Sequence, residues 1–495
     1  MSVAPLNHLF SPEFEARLLE LMMQTHTPGC GVSLVGGHDD GTWEEVVKVY
    51  GTAKDDQPVT PDTRFPIASN TKLFTVLALA ELLEKHALTF ETRIKDILPE
   101  FQLVDKVTEN LSTINDFCCH MTGIPGYSFA YAKGLTREDV LELFRSHQPS
   151  TSFRQTMGFQ YNNQAYDILG LVIERLSGVS YTDYIRQTFF EPLGMRTAGF
   201  GWDEHTATGH WTGRRGDTVE IPGAVTGVPA CQSSGGVVAS AVDMVKWLKF
   251  IASHPGYQQA STPRSIDHGW ADVWNFPYSS SVTTYGAGLF QCTYHDTSVH
   301  EHWGALNGFR VILSWVPSAK VGMFIVVNGY QGEDILNLLK MTVLDRVTGG
   351  VEHGTDEWLK RIASERAIKQ ARLAIGMSPV KVHESSPLIG KYTCPSVFTF
   401  HLEGSSNTCF LPECEPFPYL PHLYGDLKPL LAYAGQGKYK GCLVWTYKGK
   451  QYYGYPSGRR PLRIGRSSKY SGCPVMELEL THQLAQRFLS KWTDR

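Results

Sequence analysis

Ser69 and Lys72 stand three residues apart in Ser69-Asn70-Thr71-Lys72, Tyr161-Asn162-Asn163 follows, and His302-Trp303-Gly304 comes third. A serine hydroxyl is inert near neutral pH unless a neighbour takes its proton. A lysine that burial or nearby cations have relieved of its charge can do so. Positions i and i+3 share one face of a helix, so Lys72 can reach back to Ser69. A serine at a helix start also sits in the positive field of the backbone dipoles, which favours an alkoxide or an oxyanion. The ordered set points to a covalent acyl-serine.

Tyr161 can deprotonate Ser69 as a phenolate, or relay a proton through Lys72 and later return it to the leaving group. Asn163 can hold Lys72 and a substrate amide or ester. Gly304 lets a substrate backbone lie close to its strand, and the Ala305 N–H can join that of Ser69 as an oxyanion hole. His302 can hydrogen-bond Tyr161 or the substrate. Each motif also has a structural reading: a serine helix cap, a buried tyrosine with an Asn cap, an edge-strand histidine. A second copy of the first motif, Ser378-Pro379-Val380-Lys381, lies in linker-like sequence with no helix behind it and is treated as a decoy. His300-Glu301-His302 offers two histidines on one strand face but no third ligand, so no metal is expected. There is no G-x-S-x-G elbow, P-loop or dinucleotide fingerprint, and no cofactor is expected.

The elements that position these groups follow from local pattern. Ser11-Pro12-Glu13 opens a helix with a capping serine, a proline at the first position and early acid. Gly29–Gly37 and Glu45–Ala53 read as strands joined by a Gly-rich turn. Helices are expected over Asn70–Lys85, Thr136–Ser146, Gln164–Ser177 with Gly178 as its cap, Val242–Ser253 and Asp334–Val347. Val311–Val316 and Val321–Asn328 read as paired strands. Strands on both sides of a helix-rich centre imply one discontinuous α/β domain over residues 1–350. Thr355–Ala374 is a charged amphipathic helix and Gly376–Pro387 has linker composition, which makes 351–387 a connector. Phe398–Leu402, Cys442–Tyr447 and Gln451–Tyr455 alternate or are aromatic-rich, with a turn at Lys448-Gly449-Lys450. Residues 388–495 read as a small antiparallel β domain.

The 495 residues exceed one simple core. A formal net charge of −4 and the lack of a Lys/Arg block give no reason to expect nucleic acid or a membrane surface as partner. The N-terminus lacks a basic start and apolar run, so a cytoplasmic protein is expected. The ten cysteines form no zinc-like pairs and read as reduced, mostly buried thiols.

In these motifs the chain resembles the serine β-lactamase and penicillin-binding protein superfamily, in its class C-like branch of esterases, D-aminopeptidases and lovastatin-type acyltransferases. Phe65-Pro66-Ile67-Ala68-Ser69 fits the entry to the nucleophile helix. His120-Met121-Thr122-Gly123-Ile124-Pro125-Gly126-Tyr127 is similar to the family's HTSG loop. Pro192-Leu193-Gly194-Met195 and Gly235-Gly236-Val237-Val238-Ala239-Ser240 match in style and order. The likeness covers roughly residues 15–348. It implies an antiparallel sheet flanked by helices plus an all-helical lobe, and a barrel-like appended C-terminal module that can wall the cleft or mediate dimerisation. It also implies that Ser69 forms the acyl-enzyme, that Lys72 and Tyr161 handle the proton, and that Asn163 orients. The third motif departs from the family's Lys-Thr-Gly. His302 replaces a permanent cation, weakening an anchor for a substrate carboxylate. Trp303, bulky at the cleft edge, would suit a flat or apolar group.

The expected activity is hydrolysis of an ester or amide through acyl-Ser69 on a small-molecule acyl substrate or small peptide, in a setting such as secondary metabolism. A close alternative passes the acyl group to an alcohol or amine. A second class is a non-catalytic binding protein on the same fold. Homo-oligomers are compatible with all three.

Overall fold

A computed structural model describes residues 5–126, 136–147, 149, 151–154, 159–212, 218–221, 229–267, 282–306, 308–348 and 353–375, and, as backbone, nine strands between 390 and 494. The expected domain end at Gly349-Gly350, the linker over 376–387 and Tyr127 lie outside these residues.

The first part is built on a nine-stranded antiparallel sheet. Its strands are β1 (Gly29–Gly37), β2 (Trp43–Lys54), β3 (Gln57–Pro58), β4 (Ser265–Ile266), β5 (Thr284–Tyr285), β6 (Phe290–Tyr294), β7 (Thr297–Leu306), β8 (Phe309–Val316) and β9 (Val321–Val327). They run in the order β3-β2-β1-β9-β8-β7-β6-β5-β4. The N-terminal hairpin therefore pairs with strands some 300 positions later: Cys30 faces Val327 and Gly36 faces Val321. Early and late strands of this part thus share one sheet.

Helices cover both faces, which is why β9 is apolar at every position and buried throughout. On one face α1 (Pro12–Gln24) packs with α6 (Glu333–Thr348), and Leu18, Ile335 and Leu338 meet Val32, Leu34, Ile312 and Ile325. On the other, α2 (Thr71–Lys85) brings Phe74 and Leu77 into one core with Leu313, Phe324 and Val326; α3 (Arg137–Ser146) packs on α4 (Asn163–Ser177), α4 packs on α2, and α5 (Ala241–Ile251) lies on β1 and β9. Caps follow the sequence signals. Ser11 accepts from the Phe14 amide at 3.2 Å, Thr136 and Asp139 form a capping box, and Gly178 closes α4 with φ +78°. α2 is buried almost all round, as expected of a helix with no polar face.

α7 (Thr355–Ile375) begins inside this first unit. Trp358 and Ile362 are buried against α6, and the Trp358 indole N–H donates to Asp345 at 2.7 Å. The C-terminal strands form an antiparallel sheet: β10 (Gly390–Cys394), β11 (Phe398–Ser405), β12 (Thr408–Phe410), β13 (Leu427–Gly435), β14 (Lys438–Tyr447), β15 (Lys450–Gly454), β16 (Leu462–Gly465), β17 (Val475–Met476) and β18 (Trp492–Asp494). The order is β10-β11-β12-β13-β14-β15-β18, with β16 joining β14 and β17. The anticipated hairpin is β14–β15, with Tyr447 opposite Lys450. The barrel-like closure expected here is not found: among the described residues no ladder joins β10 to β18. Among the described residues no helix is long and apolar enough to cross a membrane.

Candidate functional site

The site lies where β7 meets the start of α2. A short 3₁₀ turn, Ala68–Asn70, precedes the helix, and Ala68 is held at φ +48°, a conformation a non-glycine residue adopts only under constraint. The constraint comes from both sides. The Ile67 amide donates to the Val237 carbonyl at 3.0 Å, and the Val237 amide donates to the Thr71 hydroxyl at 3.1 Å. Gly304 lies against the turn. A Cβ there would stand 2.8 Å from the Ala68 Cβ, 2.8 Å from the Ile67 carbonyl oxygen and 3.2 Å from the Ser69 amide nitrogen. Glycine is thus what lets the β7 backbone lie beside Ser69.

Lys72 is wholly buried. Its Nζ donates to the Ser69 hydroxyl at 3.2 Å, to Asn163 Oδ1 at 2.7 Å and to the Ser234 carbonyl at 2.7 Å. All three partners are neutral. Burial therefore dominates and lowers the Lys72 pKa to about 7, with Asp167, one turn along α4 from Asn163, pulling the other way. In the neutral form the amine has two N–H bonds and one lone pair. The two carbonyl-type oxygens at 2.7 Å can only accept, so they take the N–H bonds and leave the lone pair for the Ser69 proton. The Lys72 Nζ also sits 4.9 Å from the Tyr161 ring centroid and 5.2 Å from that of Tyr166.

Tyr161 is buried, and burial holds its phenol well above the usual range, with the neighbouring Ser69 hydroxyl pulling the other way. It is neutral at working pH, so a phenolate base is disfavoured. The Tyr161–Asn163 corner is fixed by the His120 loop. The Asn162 amide donates to His120 Nδ1 at 3.1 Å, and the Asn162 side chain donates to the carbonyls of Ile124 at 3.0 Å and Pro125 at 3.3 Å while capping Ala165 at 3.1 Å. The His120 and Tyr161 rings are 4.4 Å apart.

Ser69, Lys72, Tyr161, Asn163, Gly304 and, by its place on β7, Ala305 thus come together. His302 and Trp303 differ from expectation. His302 is fully buried, and its Nε2 takes the Tyr285 hydroxyl at 3.1 Å in place of Tyr161 or a substrate. Its Nδ1–H donates to the Trp303 carbonyl at 2.7 Å. Burial, with Lys72 nearby, lowers its pKa to about 3, so it carries no charge at neutral pH. Trp303 alternates to the opposite face from Gly304 and sits across from Ile312. It is 6% exposed, 4.9 Å from the Phe290 ring, with the Lys340 Nζ 5.8 Å from its centroid. It is a packing group on the α6 side and offers almost no surface to a cleft. Period-two alternation from Gly304 would have given this from sequence.

The His300-Glu301-His302 triplet is taken up by other partners. His300 bonds the Tyr257 hydroxyl at 2.7 Å, and Glu301 pairs with Lys340 at 2.8 Å. Sequence reasoning missed Tyr285, the Ser234 carbonyl, Asp167 and the part played by His120. Only the last two carried a signal, Asp167 from its i+4 spacing to Asn163 and His120 from its loop.

A beta-lactamase family model matches residues 14–345. Among curated relatives, the unguisins hydrolase ungD' of Aspergillus campestris (strain IBT 28561) is 25% identical over 405 residues, 76% of this chain and 74% of that protein. Protein flp of Staphylococcus aureus (strain N315) is 24% identical over 329 residues, 62% of this chain and 61% of that protein. The octameric penicillin-binding protein homologue from Pyrococcus abyssi superposes with TM-score 0.60 at 21% identity, covering 89% of this chain and 97% of that one.

Proposed function

The chain belongs to the beta-lactamase family, and from that premise we propose that it hydrolyses an ester or amide of a small acyl compound or peptide through an acyl-Ser69 intermediate. The observation that carries this is the Lys72 amine: wholly buried, hydrogen-bonded among the described residues to neutral oxygens, with a pKa lowered to about 7 and Ser69 at 3.2 Å. Neutral Lys72 takes the Ser69 proton as the oxygen attacks the substrate carbonyl. The new oxyanion is received by the amides of Ser69 and Ala305. Collapse of the tetrahedral adduct expels the alcohol or amine, which collects the proton through Lys72 and neutral Tyr161. Water then attacks the acyl-serine as Lys72 takes its proton, and Lys72 passes that proton to the Ser69 oxygen as the adduct collapses and the acid leaves.

Neutral His302 leaves the position of the family's fixed cation uncharged, which favours substrates with no carboxylate beside the scissile bond. The alternative in which an alcohol or amine replaces water uses the same first half-reaction. Residues 1–350 are proposed as the catalytic unit, with 351–387 as connector and 388–495 as an appended β unit. A role in secondary metabolism, as the name of the unguisins hydrolase suggests for that relative, and self-association, as in the octameric archaeal neighbour, are extensions of the same reading. The test is turnover of chromogenic esters and aminoacyl anilides by wild type and Ser69→Ala, with and without added alcohols and amines. Loss of turnover in the variant is expected; turnover that survives the substitution sinks the reading.

A further inference from the structure

The edge of β7 beside Ser69 carries a feature of its own. Tyr294 and Thr297 face each other across a two-residue turn whose residues, His295 and Asp296, have φ +45° and +60°. Leu306 and Phe309, the last residues paired between β7 and β8, also face each other with two positions between them. The residues flanking such turns exchange hydrogen bonds with each other. Both ends of β7 therefore give the same parity. Thr297, Val299 and Glu301 direct their backbone groups toward β6, whereas Gly304 and Leu306 direct theirs toward β8. By continuation, the backbone groups of Trp303 and Ala305 point to the β6 side. There β6 has ended: its first paired residue, Phe290, lies opposite Glu301.

An open edge would leave the Trp303 carbonyl and the Ala305 amide both unmatched. The carbonyl is taken by the His302 Nδ1–H at 2.7 Å, from the residue just before it. A carbonyl only accepts, so the proton is on Nδ1, and Nε2 must accept from the Tyr285 hydroxyl at 3.1 Å. Tyr285 is itself fully buried on β5, packed 4.5 Å from the Phe290 ring. The chain Tyr285–His302–Trp303 carbonyl thus stands where the missing continuation of β6 would be. By the same parity the Ala305 amide, on that edge, faces away from β8.

We propose that Tyr285 and His302 are positioning residues: they lock the neutral Nδ1–H tautomer, hold the Trp303 carbonyl, and so keep the Ala305 amide aimed at the attacked carbonyl. This rests on the acyl-Ser69 reading and assigns His302 no contact with the substrate.

The test compares the rate of Ser69 acylation by an activated ester, followed by intact mass, in wild type, Tyr285→Phe, His302→Asn and His302→Gln, each checked for an unchanged melting profile. Asparagine places its N–H where Nδ1 stands and retains the Trp303 bond; glutamine reaches the Nε2 position and retains only Tyr285. The expected order is wild type, then His302→Asn within about tenfold, then His302→Gln lower by about a hundredfold, the scale of losing one oxyanion donor. The losses should fall on the limiting rate, with the half-saturating ester concentration within about twofold. Glutamine equal to or better than asparagine would overturn the assignment, as would unchanged rates in Tyr285→Phe and His302→Gln. ¹⁵N-histidine NMR reads the pair without turnover: a neutral Nδ1–H tautomer through the neutral range is expected, and an Nε2–H tautomer or a titration near the ordinary histidine pKa overturns it. A wild type that forms no Ser69 adduct under any condition would fail the functional reading itself, and with it the positioning role.

Discussion

Two lysines are buried on opposite sides of β7, and their surroundings differ in one respect. Lys340, on α6, meets the Glu301 carboxylate at 2.8 Å, and that carboxylate also accepts from the Ser314 hydroxyl at 3.1 Å. Lys72, on α2, meets a hydroxyl, an amide oxygen and a peptide carbonyl. A buried ammonium that loses its carboxylate leaves an uncompensated charge on each side. A buried amine among neutral acceptors sheds its proton near neutrality instead. On the proposed reading, the same residue type is a structural pin on one face of the sheet and a base on the other. The choice between them is made by a single kind of partner.

Removing the base should have the largest effect. Lys72→Met is expected to lower kcat/KM for an activated ester about 10³-fold, the usual reach of a general base, while the protein stays folded. A loss under tenfold would mean that another group takes the Ser69 proton. Gly304→Ala pushes a methyl into the Ile67–Ser69 turn and should lower the acylation rate about a hundredfold by displacing the oxyanion amides. A rate within twofold of wild type would show that the strand is not held against Ser69 as described.

Asn163→Asp turns the Lys72 environment into that of Lys340. The added carboxylate favours the ammonium, so the acid limb of kcat/KM should move up from about pH 7, each unit of movement lowering activity below the limb about tenfold. A limb that stays in place would separate Lys72 from the pH dependence.

The converse changes act on stability. Lys340→Met should destabilise by about 3–5 kcal/mol by stranding Glu301, and Glu301→Gln in the same protein should recover much of it; denaturant melts measure both. The smallest effect concerns Lys72 and pH. Its folded pKa is lowered from 10.5 to about 7, so between those values the unfolded chain binds the extra proton and stability rises with pH; below about 7 the burial penalty is complete. The Tm advantage of Lys72→Met over wild type should therefore be greatest below pH 7 and shrink toward pH 10. A constant difference would contradict a charged, penalised lysine at low pH.

Much of the site was legible because its chemistry is local. Ser69 and Lys72 share one helix start, and Tyr161 and Asn163 share one loop, so spacing alone assembles each half. The helices and strands that carry them also announced themselves through caps and periodicity, as at Ser11, Thr136 and Gly178. What escaped is what depends on distant chain segments meeting. The Tyr285 hydroxyl reaches His302 only because β5 and β7 flank β6, and the Ser234 carbonyl reaches Lys72 only because residues 233–237 are tied to α2. Trp303 was misjudged for a different reason: the cleft-edge expectation came from the motif as a unit, although a strand places neighbours on opposite faces. The Trp358 anchor of α7 was hidden by the charged surface of that helix, which reads as solvent-facing along most of its length.

The most direct test is intact-protein mass after brief exposure to an activated acyl ester, taken across the pH range around neutrality for wild type and Ser69→Ala. A single acyl increment on Ser69, absent from the variant, whose formation rate climbs through pH 7 to a plateau, is the predicted result. An increment that persists in Ser69→Ala, or a Ser69 adduct whose rate is flat through pH 7, would contradict a serine activated by a neutral buried lysine.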